Sequence, residues 1–136
     1  MADLFGSLAV GDCLDEAQAV IVNAKCEAAV TKGQLVIFNT HTLGEIPSVS
    51  PAGAAATNVL GVAMKSGAIG EVIPVGAKGM FKVTDSGAGV TGGVAIVSGA
   101  AGTIATVGAN TFEKKCGRAW QTFGAGDTGI AAINCM

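Results

Sequence analysis

Val30-Thr31-Lys32-Gly33-Gln34-Leu35-Val36-Ile37 returns sixty residues later as Val90-Thr91-Gly92-Gly93-Val94-Ala95-Ile96-Val97. A second pair follows each copy: Leu60-Gly61-Val62-Ala63-Met64, then Cys116-Gly117-Arg118-Ala119-Trp120, 56 residues apart. A turn glycine and a β run close each copy: Gly70-Glu71-Val72-Ile73 and Gly129-Ile130-Ala131-Ala132, 59 apart. One unit of strand, long loop, strand, turn and strand is therefore used twice. Its halves fall at about 30–83 and 90–134, and two such halves can bury their faces against each other around a pseudo-twofold axis.

Working outward, short β-branched runs separated by glycine fill the chain. Ala19-Val20-Ile21-Val22, Gln34-Leu35-Val36-Ile37-Phe38, Val94-Ala95-Ile96-Val97, Thr103-Ile104-Ala105-Thr106-Val107 and Ile130 to Ile133 read as strands. Val72-Ile73-Pro74-Val75 and Met80-Phe81-Lys82-Val83 flank Gly76-Ala77-Lys78-Gly79, which reads as a hairpin with a four-residue loop. Pro74 cannot donate to a ladder, so its strand is expected at a sheet edge. Helical periodicity is weak. The best candidates are 15–22 and 52–60, and one short helix at most is expected. The predicted fold is all-β: a small compact barrel or sandwich of two pseudo-repeats, residues 17–136, behind an extended N-terminal arm, residues 1–16.

Composition narrows the function. The 136 residues suffice for one domain; 50% are hydrophobic and 13% charged, with 21 glycines and no tyrosine. Disorder needs the opposite balance. The net charge of −2, with Lys114-Lys115 the sole adjacent basic pair, argues against nucleic acid as a partner. The longest charge-free stretch, 86–112, is broken by seven glycines and is no membrane span. The start Met1-Ala2-Asp3-Leu4-Phe5 has no basic region or signal core, so synthesis in the cytoplasm is expected.

Site chemistry does not assemble. Gly87-Ala88-Gly89-Val90-Thr91-Gly92 and Gly124-Ala125-Gly126-Asp127-Thr128-Gly129 both match a dinucleotide fingerprint, but neither opens a helix, so both read as turns. His41 is the single histidine, in an apparent loop, and the carboxylates are scattered. No catalytic, cofactor or metal residues are assigned, and no small-molecule substrate is expected. Lys114 and Lys115 read as a solvated loop face. Cys26 and Cys116 sit in apolar runs and are expected to be buried and inert. Cys13 and Cys135, near the two ends, are the candidates for a disulfide within or between subunits. Trp120, with Phe123 after it, is either a core plug or a subunit-interface anchor. Leu4, Phe5 and Leu8 make the arm apolar, and they are expected to dock on a partner while the body folds without them.

In these residues — the strand entered through Thr31-Lys32-Gly33, Leu60-Gly61-Val62-Ala63, Gly70 to Val75, Gly79 to Val83, Val90-Thr91-Gly92-Gly93 and Gly117-Arg118-Ala119-Trp120 — the chain resembles the capsid decoration, or cement, proteins of tailed viruses. The resemblance implies a compact β fold, usually a homo-trimer, added to the outer capsid surface of the virion. There it would hold the major capsid protein lattice against the pressure of packaged DNA. It implies no enzyme activity and no cofactor. The alternative is a small β-barrel ligand-binding or hydrolase subunit with a pocket between the repeats.

Overall fold

The structure is a computed structural model that describes residues 8–14, 19–39, 46–108 and 114–135. Nine strands form one sheet: β1 (Val20–Cys26), β2 (Leu35–Asn39), β3 (Ser48–Pro51), β4 (Val59–Ala63), β5 (Val72–Thr84), β6 (Ala95–Ser98), β7 (Ile104–Thr106), β8 (Lys115–Ala119) and β9 (Thr128–Asn134). Their order is β1-β3-β2-β4-β5-β9-β8-β6-β7. An added β1–β5 pairing closes the first five into a barrel. The all-β expectation is met.

The far strands repeat the near ones. β2 pairs with β4 through Leu35↔Val62 and Val36↔Gly61, then slips at Val36/Ile37. β6 pairs with β8 through Ala95↔Arg118 and Ile96↔Gly117, then slips at Ile96/Val97. These are the positions the sequence repeat equates. Gly33 N–H donates to Ala63 O at 2.8 Å, and Gly93 N–H to Ala119 O at 2.7 Å. Lys32 N–H donates to the Ser66 hydroxyl, and Gly92 N–H to that of Thr122. Both turns place a glycine, Gly33 or Gly93, at φ near +90°, where a side chain is strained.

The third sequence correspondence is shifted by three residues. The turn bond Glu71 N–H to Ala68 O recurs as Asp127 N–H to Gly124 O, so Gly70 corresponds to Gly126 rather than Gly129. The repeat also reaches further back. β1 pairs with β5 through Val22↔Val75 and Lys25↔Val72. The later half of β5 pairs with β9 in the same register, through Phe81↔Ala131 and Thr84↔Thr128. A parallel bridge, Asp85↔Ile104, then returns from β7 to the end of β5, as β3 returns to β1. Strand β5 thus closes the first barrel and opens the second.

This corrects the hairpin reading. Gly76-Ala77-Lys78-Gly79 lies inside a continuous 13-residue strand. Small residues stand there for packing: a Cβ on Gly76 would fall on the ring of Phe81. Pro74 is not at an edge either, since β5 is flanked by β1, β4 and β9. Its carbonyl accepts from Met64 N–H at 3.0 Å, just beyond the end of β4. N–H and C=O of one strand residue point to the same side, so the missing donor falls where β4 has already ended.

No helix forms over the described residues 52–60. Ala55 adopts φ 50°, and the N–H groups of Ala55 and Ala56 turn to Ser98 rather than to helical carbonyls. Ser98 is buried, and its hydroxyl donates to Gly53 O at 2.7 Å. Gly102 N–H donates to Ala52 O, and Gln34 Nε2 to Ala101 O, so the first half's loop is tied to the second half's strand and 3-10 turn, Ala100–Gly102. The core follows the strands. Leu35, Val62, Phe81, Val83, Ile96, Ile104 and Ile133 form one buried cluster, and Cys26, Val36, Val49, Ile73 and Val75 another.

The described part of the arm docks on its own chain. Cys13 bridges Phe81, Gly11 N–H donates to Lys82 O, Leu14 N–H to Met80 O and Lys82 N–H to Asp12 O. Cys13 is buried in the core, and an Asp12–Lys32 ion pair ties the segment to the Gly33 turn. Residues 8–14 therefore pack against the folded body. The unpaired edge of β5 that Phe81 and Lys82 would otherwise show is the physical reason.

Candidate functional site

Both glycine motifs converge on one side chain. Asp85 is buried, and its Oδ2 accepts from the N–H groups of Gly87 at 2.8 Å, Gly89 at 2.9 Å and Gly126 at 3.0 Å. Burial opposes the charged carboxyl, but these N–H donors outweigh it and hold its pKa below the ordinary carboxylate value. Peptide N–H groups in glycine-rich turns make an anion cradle. Here the anion is the protein's own carboxylate, which pins the turn after β5 to the turn before β9. Oδ1 is buried without a hydrogen-bond partner.

Within the chain all four cysteines are free, and Cys13 is not bonded to Cys135 of the same chain. Cys135 Sγ instead points at Cys116 O, 3.8 Å away. Cys26 and Cys116 are buried, and burial pushes the Cys116 thiol up to about 12. Cys135 is raised by the same cause. Thiols this hard to ionise are poor nucleophiles at neutral pH.

The two aromatic candidates separate. Phe123 is buried in the core, against Gly129. Trp120 stands 62% exposed, just after β8, which removes the core reading. Ile69 and Val72 are, with Trp120, the most exposed large apolar side chains among the described residues, an unmarked feature of the sequence. Single exposed hydrophobics are ordinary, but an exposed Trp is an uncommon choice outside interfaces. Leu8 is half-buried, while Leu4, Phe5 and His41 lie outside the described residues.

A groove of about 500 Å³ opens where the first barrel meets the second. Thr57 and Val59 form one wall, Lys114, Lys115 and Arg118 the other, and Ala132 and Asn134 line it from β9. Lys114 and Lys115 are half-buried here, not a solvated loop face, because Lys115 begins β8. Arg118 Nη1 donates to Gly93 O at 3.0 Å. Among the described residues no cluster of three His, Cys, Asp or Glu side chains could hold a metal, and no helix is long and apolar enough to cross a membrane.

The molecule this geometry defines is an all-β protein in which five strands close into a barrel and the remaining strands extend the same sheet from β5. A family model for the phage cement protein matches residues 15–134, and the chain belongs to that family. It is thereby a structural protein of the phage head, a component of the virion associated with the capsid. Among solved structures it is similar to the N base of the head fiber gp8.5 of bacteriophage phi29. The TM-score is 0.64 at 18% identity, over 87% of this chain and 96% of that one, which shows a shared fold. A comparison with curated protein sequences returns no match.

Proposed function

We propose that the protein decorates the outer surface of the phage head as a homo-trimer and stiffens the capsid lattice against the pressure of packaged DNA. The observation that carries this reading is the cement-family match across residues 15–134. The architecture supports a mechanical role. The hydrogen-bonded sheet runs unbroken through both barrels, and the loop at 52–56 is stapled to β6, so load on one barrel is transmitted to the other. Trp120 is the side chain proposed for the trimer contact, and Leu4, Phe5 and Leu8 are proposed to touch the capsid or a neighbouring subunit. Three weak contacts on one trimer act together at a threefold position.

The test compares DNA-filled heads with and without the purified protein during heating. Bound protein is expected to raise the temperature at which DNA is released. An unchanged release temperature on heads that carry the protein would overturn the stiffening role. Light scattering of the free protein gives about three chain masses on this reading, and the substitution Trp120→Ala shifts it toward one.

A further inference from the structure

We infer that the groove between the barrels is a docking slot for an acidic, extended segment of the protein partner on the head; this rests on the capsid-binding reading above. The charge pattern is the first ground. The chain carries ten carboxylates against eight Lys and Arg residues. Three of those eight cations, Lys114, Lys115 and Arg118, line this one groove, and among the described residues no side-chain carboxylate lines it.

The repeat supplies the second ground. The first-half counterparts of Lys114, Lys115 and Arg118, 56 residues earlier, are Asn58, Val59 and Val62. The paired registers Leu35↔Val62 and Ala95↔Arg118 fix this equivalence. An uncharged strand fills the same place in the same fold, so the fold does not require cations there. The charge was added to one barrel only, on the side where the two halves meet.

Shape and chemistry define the occupant. Gly117 and Ala132 leave the floor without bulky side chains, so an extended backbone can approach it. Thr57 and Asn134 offer side-chain hydrogen bonds to a main chain, while the cations take carboxylates. Arg118 is held in place by its bond to Gly93 O, which uses one of five donors and leaves the planar head group for a bidentate carboxylate contact. A cavity of about 500 Å³ suits a short peptide segment rather than a single ion.

The experiment has two arms. In the first, fluorescence anisotropy follows a labelled hexaglutamate peptide titrated with the wild-type protein at low and physiological salt. Saturable, salt-sensitive binding is expected, and its loss in the double variant Lys114→Glu/Arg118→Glu. No saturable binding to the wild type, or equal competition by inorganic sulfate at matched charge, overturns the slot. In the second arm, wild type and variant are co-sedimented with undecorated heads. The variant is expected to bind at least tenfold more weakly, with a flatter salt dependence, while its melting temperature and assembly state match the wild type. Equal binding to heads by both proteins overturns the inference and leaves the head-binding function standing. Failure of the wild type to bind heads overturns the function instead, whatever the peptide does. The milder Lys114→Gln/Arg118→Gln pair serves both arms should the reversed charges disturb folding.

Discussion

Asp85 shows how geometry gives a role to a residue that no sequence motif singles out. The glycines on either side of it look like phosphate-binding loops, yet their N–H groups close on an internal carboxylate. Asp85→Ala strands three N–H donors and is expected to cost about 3 kcal/mol by chemical denaturation. Asp85→Asn keeps an acceptor but loses its charge, and about 1–2 kcal/mol is expected. The pH dependence has a definite sign. A carboxyl held below its unfolded value contributes stability above about pH 4, and loses it as pH falls through the folded value. The gap between wild type and Asp85→Asn is therefore widest near neutrality and closes in acid. A gap that widened in acid would contradict the cradle. Gly61 and Gly117 make a second residue-scale case. A Cβ on either would collide with a backbone carbonyl of the next strand, that of Gly76 or Ala132. Gly61→Ala is expected to destabilise by roughly 3 kcal/mol or more, whereas Gly53→Ala, which meets nothing, should stay within about 0.5 kcal/mol.

At the scale of elements, the fold was legible wherever glycine marked a turn that recurs. The Gly33 and Gly93 turns and the β2–β4 and β6–β8 registers follow from positions that align by eye. Strand β5 was not legible, because the small residues that let it pass Phe81 and change barrels are also the residues of a hairpin loop. The equivalence of β1 with the end of β5 was hidden too, since the two share a register but almost no side chains. Segment 8–14 carries its own prediction. Removing residues 1–16 takes away three backbone hydrogen bonds to β5, the bond from Lys82 Nζ to Leu8 O and the burial of Cys13. The loss is expected to be about 2–4 kcal/mol, seen as a lower melting temperature. A shortened chain as stable as the full one would show that the docked segment contributes nothing.

For the whole molecule, one long strand, β5, belongs both to the closed barrel and to the sheet that repeats it, so the two halves share a continuous hydrogen-bonded ladder. Of the candidate site, only the pieces were legible. Lys114-Lys115 and Trp120 stood out as residues, but the groove exists only because β8 and β9 bring the second half against Thr57 and Val59 of the first. No spacing along the chain records that meeting. Buried thiols complete the picture of an inert body: Cys26 and Cys116 should resist a bulky thiol reagent at neutral pH until the protein unfolds, and rapid native labelling would contradict their placement. The central claim, a structural protein that attaches to the outside of the head, is tested most directly by mixing purified protein with intact, DNA-filled, undecorated heads and weighing what sediments with them. The account predicts saturable binding in a copy number divisible by three. Heads that saturate with none, or that take up protein only after their shells are broken open, would contradict it.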